Sequence, residues 1–110
     1  MGKDDLKVNK FLVVSKGLPQ SRAFEKAAKE YVEKNNLPIE WVFETPDRYL
    51  DVVKDKDIRA VLISPEVIII ENKIKAELDT INVDYVTLKP ADFGLKRLEK
   101  IIPNIEKFLK

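Results

Sequence analysis

Four short apolar runs alternate with longer segments in which apolar residues recur every three or four positions. The apolar runs lie at 9–14, 39–44, 60–63 and 83–88. The first and third are nearly continuous, as in strands buried on both faces, whereas the second alternates apolar residues with a set that includes acids. We predict four strands, and we place the second at an edge of the sheet because one of its sides carries charge.

A long amphipathic helix is predicted directly after the first strand. Pro19 suits the first turn of a helix, and apolar residues recur at helical spacing as far as Tyr31. The pair 35–36, two asparagines, ends the helix, and Pro38 prevents its extension. The strand, a short polar loop and the helix form the unit 10–22, where we first look for a functional site.

Three further helical segments complete the pattern. The first begins at the capping sequence 45–47, the second begins at Glu66, and the third follows a loop over 89–94. Pro103 lies inside the third and is expected to interrupt it, because proline removes a helical hydrogen bond. The predicted inward-facing residues are Tyr49, Leu50, Val53, Val67, Ile70, Ile74, Leu78, Leu98, Ile101, Ile102, Ile105 and Leu109.

The segment 67–70 contains more apolar side chains than one core face requires. Two interpretations stay open. Either the segment is a partly buried helix start, or its surplus isoleucines face a partner protein.

The alternation of strands and helices predicts an α/β fold. Right-handed crossovers place the strands in a parallel sheet with helices on both faces, which is a three-layer sandwich. In open sheets of this kind ligands bind at the carboxyl ends of the strands. The loops expected to meet there are 15–21, 45–46, 64–66 and 89–94.

Composition narrows the classes of function. A chain of 110 residues is long enough for one domain. We predict a flexible leader over 1–8 and a single domain over 9–110. The net charge is +1, from 20 basic and 19 acidic residues, so no overall field attracts nucleic acid or an anionic membrane. The start of the chain lacks a signal-peptide core, and no run approaches the roughly 20 apolar residues of a membrane span. We expect a cytoplasmic protein that neither binds nucleic acid nor inserts into a membrane.

The chain contains no cysteine and no histidine. Disulfides, thiolate nucleophiles, histidine bases and most zinc sites are therefore excluded, and we expect neither a metal nor a cofactor. An anion cradle is still available at the first loop, where backbone N–H groups converge on the positive end of the helix dipole. The candidate anion-binding residues are Ser15, Lys16, Gly17, Leu18, Pro19, Gln20, Ser21 and Arg22. In the alternative interpretation Gln20 and Ser21 only cap the helix, and Lys16 and Arg22 are solvated.

The segment 12–21 resembles the loop of the cytoplasmic enzyme IIB component of the sugar phosphotransferase system, in the lactose, cellobiose and chitobiose group. In that family the first strand ends in Cys-Ser-Ala-Gly-Met-Ser-Thr-Ser. Aligned without gaps, Ser15, Gly17 and Ser21 are identical to the family loop, and Leu18 replaces its methionine. The segment 60–67 is similar to the family's apolar strand and Gly-Pro-Gln sequence. The segment 92–94 is similar to the aromatic-glycine pair before the family's last helix.

The resemblance implies a four-stranded parallel sheet in the order 2-1-3-4. It also implies a role, because enzyme IIB accepts a phosphoryl group from a histidine of enzyme IIA onto its cysteine. Enzyme IIB then passes the group to sugar bound by the membrane transporter, enzyme IIC. Enzyme IIA and enzyme IIC are therefore the partners that the resemblance implies.

Val14 occupies the position of the family cysteine, or Ser15 does if the loop is one residue shorter. Valine has no nucleophilic atom, and no histidine is available to activate a serine hydroxyl. By resemblance we expect an enzyme IIB that has lost phosphoryl transfer. A natural loss, an engineered replacement and a redesigned sequence are all open. The alternative is a non-catalytic phosphate- or protein-binding module on the same scaffold.

Three other classes with a similar strand, loop and helix fit less well. Low-molecular-weight tyrosine phosphatases need a cysteine, five residues and an arginine, but Arg22 lies seven residues after Ser15. Response-regulator receivers need an aspartate at the end of the third strand, where Ser64 stands. Flavodoxin-like proteins need a longer phosphate loop than the one in this chain.

Overall fold

The computed structural model describes residues 8–55 and 57–109, without the side chain of residue 55. The predicted leader over 1–8 lies outside these residues except for Val8, which is exposed. Along the chain the elements are β1 (Asn9–Val14), α1 (Pro19–Lys34), β2 (Ile39–Glu44), α2 (Tyr49–Asp55), β3 (Ile58–Ile63), a 3₁₀-helix (Pro65–Ile70), α3 (Glu71–Thr80), β4 (Tyr85–Thr87), α4 (Pro90–Gly94), α5 (Leu98–Ile105) and a second 3₁₀-helix (Glu106–Phe108).

The four strands form one parallel sheet in the order β2-β1-β3-β4. β1 pairs with β2 in a continuous register that ends with Val14 opposite Glu44. β2 lies at an edge of the sheet, as its acidic positions predicted. The predicted parallel α/β fold is confirmed, and so is the strand order implied by the family resemblance.

Successive side chains of β1 enter two separate cores, because strand side chains alternate between the faces of a sheet. Phe11 and Val13 pack in a core built with α1, α4 and α5. Leu12 and Val14 pack in the opposite core, built with α2, α3 and the first 3₁₀-helix. Helices therefore cover both faces, which confirms the three-layer sandwich. In the part of the chain that the structure describes, no helix is both long and apolar enough to cross a membrane.

α1 ends before the asparagine pair 35–36, as predicted. The backbone N–H and the side-chain amide of Asn35 both donate to the Tyr31 carbonyl, at 3.0 and 2.8 Å. Asn36 then takes a left-handed conformation with a φ of 52°, which asparagine adopts more readily than most residues. In its middle, α1 is held against the edge strand by the Trp41 indole, which donates to the Ala28 carbonyl at 3.0 Å.

Two predicted boundaries in the C-terminal third are wrong. The predicted loop over 89–94 contains the short helix α4, because Pro90 suits a helix start and the Phe93 N–H donates to the Lys89 carbonyl at 2.9 Å. Pro103 does not interrupt the last helix, since α5 continues through it to Ile105. Pro103 itself is exposed, and burial of four other residues of α5 outweighs the hydrogen bond that the proline removes.

Two other elements begin later than predicted. The capping sequence 45–47 forms a turn, and α2 begins at Tyr49. The Thr45 hydroxyl donates to the Asp47 carboxylate, and it is the Thr45 carbonyl that accepts the Tyr49 N–H, at 2.9 Å. β4 is shorter than predicted and covers only Tyr85–Thr87.

The segment that follows β3 has its predicted inner face. Val67, Ile74 and Leu78 are buried, but the helix begins as a 3₁₀-helix before it becomes α3. Ile68 and Ile69 point outward and are 62% and 89% exposed. The surplus isoleucines therefore lie on the surface, as the partner interpretation requires.

Candidate functional site

The first loop, residues 15–18, is held at both sides by the neighbouring strands. The Ser15 N–H donates to the Glu44 carbonyl at 3.0 Å, and the Ser64 N–H donates to the Val14 carbonyl at 3.2 Å. At the helix start the Arg22 N–H and the Ser21 hydroxyl both donate to the Leu18 carbonyl, at 3.0 and 2.9 Å. Leu18 is the N-cap residue, and no side chain among the described residues accepts a hydrogen bond from the first N–H groups of the helix, so Ser21 does not cap them as the alternative interpretation proposed.

Gly17 makes the turn between strand and helix. Its φ is 73°, a left-handed conformation that is costly for residues with a side chain. A β-carbon at this position would have no atom within 4 Å. Conformation, and not space, therefore requires glycine.

Gly17→Ala is expected to lower the free energy of unfolding by about 1 kcal/mol, because alanine is strained in the left-handed region. Urea denaturation measures the change. Gly17→Asn serves as the matched control and should lose less, since asparagine tolerates this region better. Unchanged stability of the alanine variant would contradict the positive φ of the turn.

The two candidate nucleophile positions face different surroundings. Val14 is fully buried, and its side chain belongs to the core built with α2 and α3. Ser15 lines a cleft of about 190 Å³ between the first loop and the end of β2. A side chain at 14 is therefore enclosed in the core, whereas residue 15, itself only 4% exposed, lines the cleft.

The cleft brings four of the predicted anion-binding residues together with residues that the sequence interpretation missed. Its lining consists of Ser15, Gly17, Ser21, Arg22, Glu25, Phe43, Glu44 and Thr45. The other four predicted residues, Lys16, Leu18, Pro19 and Gln20, are exposed outside it.

Charge in the cleft is mixed, with one guanidinium and two carboxylates. Glu25 forms an ion pair with Lys29 at 2.7 Å, and Glu44 lies 3.8 Å from Arg48. Both cations belong to residues outside the cleft lining. Because a carboxylate repels an anion, the cleft is less favourable to phosphate than the loop sequence suggested.

A third carboxylate reaches the first loop from the 3₁₀-helix after β3. Glu66 Oε1 accepts a hydrogen bond from the Lys16 N–H at 2.9 Å. One feature of the sequence could have indicated this contact. Glu66 aligns with the glutamine of the Gly-Pro-Gln segment in the enzyme IIB family that the loops resemble. Glu44 also had a signal, because it ends an edge strand that pairs with β1.

The loops at the carboxyl ends of the strands adjoin as predicted. The Glu66 bond joins the loops after β1 and β3, and a β-carbon added at Gly94 would lie 3.3 Å from Gln20 Nε2. Thr45, after β2, lines the same cleft as Ser15. The first, second, third and fourth loops therefore form one edge of the molecule.

Two carboxyl groups at this edge have a pKa lowered from the usual range. The hydrogen bond from the Thr45 hydroxyl, chiefly, lowers the pKa of Asp47. Hydrogen bonds from Lys75 and then Thr87 lower the pKa of Glu71. Both groups are therefore ionised at neutral pH, and the charge of Glu71 is paired with Lys75 at 2.8 Å.

The loops at this edge, and the residues that closely follow them in the chain, carry exposed apolar and basic side chains. The apolar members are Leu18, Ile68, Ile69 and Leu95. The basic members are Lys16, Arg22, Lys89 and Lys96. We call these eight residues the edge surface. Among residues 8–55 and 57–109, no three acidic, histidine or cysteine side chains are grouped so that they could hold a metal ion.

Comparison with solved structures identifies a fold neighbour. The lactose-specific IIB component domain of the phosphoenolpyruvate:carbohydrate phosphotransferase system from Streptococcus pneumoniae superimposes with a TM-score of 0.75. The match covers 94% of this chain and 100% of that domain, at 13% sequence identity. No family model and no curated protein sequence matches the chain. The chain therefore has the fold of a phosphotransferase-system IIB domain, as the resemblance of its loops implied.

Proposed function

We propose that the chain, as a single cytoplasmic domain over 9–110, is a non-catalytic counterpart of enzyme IIB. It would bind the enzyme IIA and enzyme IIC components of a lactose, cellobiose or chitobiose type of phosphotransferase system. One observation carries the proposal: a valine enclosed in the core occupies the family's cysteine position, while the surrounding edge keeps exposed apolar residues. The IIB fold supports the choice of partners.

The edge surface suits a protein partner better than a small ligand. Ile68 and Ile69 are too exposed to contribute much to the core, and burying them against a partner would remove apolar area from water. The edge surface also carries three lysines and an arginine, so a partner with an apolar centre and acidic groups opposite these cations fits it.

A second candidate function is phosphoryl transfer through Ser15. It is supported by the position of Ser15 in the cleft beside Ser21 and Thr45. Two features disfavour it, because the chain has no histidine to activate the hydroxyl and because Glu25 and Glu44 repel a phosphoryl group.

Incubation with phosphorylated enzyme IIA of the cellobiose group separates the two candidates. We expect a complex by calorimetry or gel filtration, and an intact mass without an added phosphoryl group. A phosphorylated chain would support the Ser15 candidate. Absence of binding to both enzyme IIA and enzyme IIC would overturn the proposed function.

Variants with a cysteine at position 14 or 15 test which position a phosphoryl-accepting nucleophile must occupy. In Ser15→Cys the thiol lines the cleft, so it is the better placed of the two to accept a phosphoryl group from enzyme IIA, although the carboxylates of Glu25 and Glu44 should make the transfer slow. In Val14→Cys burial encloses the thiol and disfavours its thiolate form, so we expect no transfer. Intact mass after equal incubation measures both variants. Transfer to Val14→Cys alone would show that the ungapped family register is the correct one.

A further inference from the structure

Glu66 contacts a loop that lies 50 residues away in the sequence. Its Oε1 atom accepts the Lys16 N–H at 2.9 Å. Its Oε2 atom and the nearby Ser64 hydroxyl are buried and have no hydrogen-bond partner among the described residues. A buried polar atom without a partner is unfavourable, so the carboxylate is held here at a cost to stability.

We propose that Glu66 is an internal anion that occupies the first loop and excludes phosphate from it. An anion bound to this loop would need the Lys16 N–H, which already donates to a carboxylate. Phosphate at the same position would also lie close to the Glu66 charge. Repulsion between like charges is stronger in a partly buried site than in water.

The cleft on the other side of the loop is no better a binding position for phosphate. Phosphate there would meet the carboxylates of Glu25 and Glu44, with Arg22 as the cation of the cleft lining. The inference rests on the proposed function, because it explains how a IIB-like loop serves as a binding surface without holding a phosphoryl group. Removing the charge of Glu66 should make the loop receptive to phosphate.

Glu66→Gln removes this charge and keeps an acceptor oxygen for the Lys16 N–H. Inorganic phosphate is titrated into the isotope-labelled chain, and the amide shifts of residues 15–21 report binding. The parent should bind weakly, and Glu66→Gln should bind at least about fivefold more tightly. Glu99→Gln, which changes the net charge equally on an exposed position of α5, should behave as the parent does.

Equal phosphate affinity of Glu66→Gln and the parent would overturn the proposal. An equal gain in Glu66→Gln and Glu99→Gln would also overturn it, because net charge alone would then explain the gain. In Glu66→Ala the Lys16 amide proton should shift and exchange faster with solvent, and an unchanged amide would show that the contact is absent. If Glu66→Ala fails to fold, the phosphate titration of Glu66→Gln still tests the proposal, because that variant keeps the acceptor oxygen for the Lys16 N–H.

The phosphate titration needs no partner protein, so it fails independently of the proposed function. A chain that gains phosphate affinity in Glu66→Gln but binds neither enzyme IIA nor enzyme IIC would support the role of Glu66 and refute the proposed partners. Partner binding without any gain in phosphate affinity would support the proposed partners and refute the role of Glu66.

Discussion

Ile69→Asp should weaken binding of the chain to its phosphotransferase partner by about 30-fold or more. The side chain of Ile69 is 89% exposed, in the same 3₁₀-helix as Glu66. Loss of a central apolar contact costs about 2 kcal/mol or more at an interface, and the new carboxylate also meets the acidic groups expected of the partner. Calorimetric titration with enzyme IIA and with enzyme IIC measures the change.

The same substitution should leave the free energy of unfolding within about 0.5 kcal/mol of the parent value, because surface substitutions away from the core have small effects. Val8→Asp is the matched control, since Val8 is an exposed apolar residue before the start of β1, at the opposite end of the strand. It should bind as tightly as the parent. Equal weakening by both substitutions would indicate a charge effect, and unchanged binding of Ile69→Asp would remove Ile69 from the interface.

Phe24→Ala should lower the free energy of unfolding by about 3–5 kcal/mol, the usual cost of removing a buried aromatic ring. Phe24 is fully buried where α1 meets α4 and β2. Its ring centroid lies 4.7 Å from that of Phe93 and 6.4 Å from that of Phe43. Both ring contacts would be lost, and a cavity would remain beneath the start of α1.

A loss of this size is a large part of the total stability of a small domain, which is about 5–15 kcal/mol. Urea unfolding followed by circular dichroism measures it. Lys26→Ala, at an exposed position two residues along α1, should change stability by less than about 0.5 kcal/mol. A loss below about 1 kcal/mol in Phe24→Ala would contradict the packing of α1 on the aromatic cluster.

Most elements could be predicted because their signals are local. The apolar run of β1 and the helical repeat of α1 each depend on residues a few positions apart, and the asparagine pair at 35–36 stops the helix through its own side chain and backbone. Errors occurred where a local signal competed with burial. Pro103 suggested a break, but the buried face of α5 keeps the helix continuous.

The candidate site was predicted only in part, because its residues come from separate segments. The sequence pointed to the loop after β1, and the structure places Ser15, Ser21 and Arg22 around one cleft there. It did not predict that Glu25 and Glu44 line the same cleft. Their positions depend on how α1 packs beside β2, which no short segment specifies.

By itself, the sequence determined the α/β class, the edge position of β2 and the absence of a thiol or imidazole, because periodicity and residue chemistry are properties of the chain alone. Only the tertiary structure decided which of Val14 and Ser15 lines the cleft, since that depends on the face of the sheet to which each side chain turns. The contact between Glu66 and Lys16 was likewise decided by the pairing of β1 with β3, which brings residues 50 positions apart within hydrogen-bond distance.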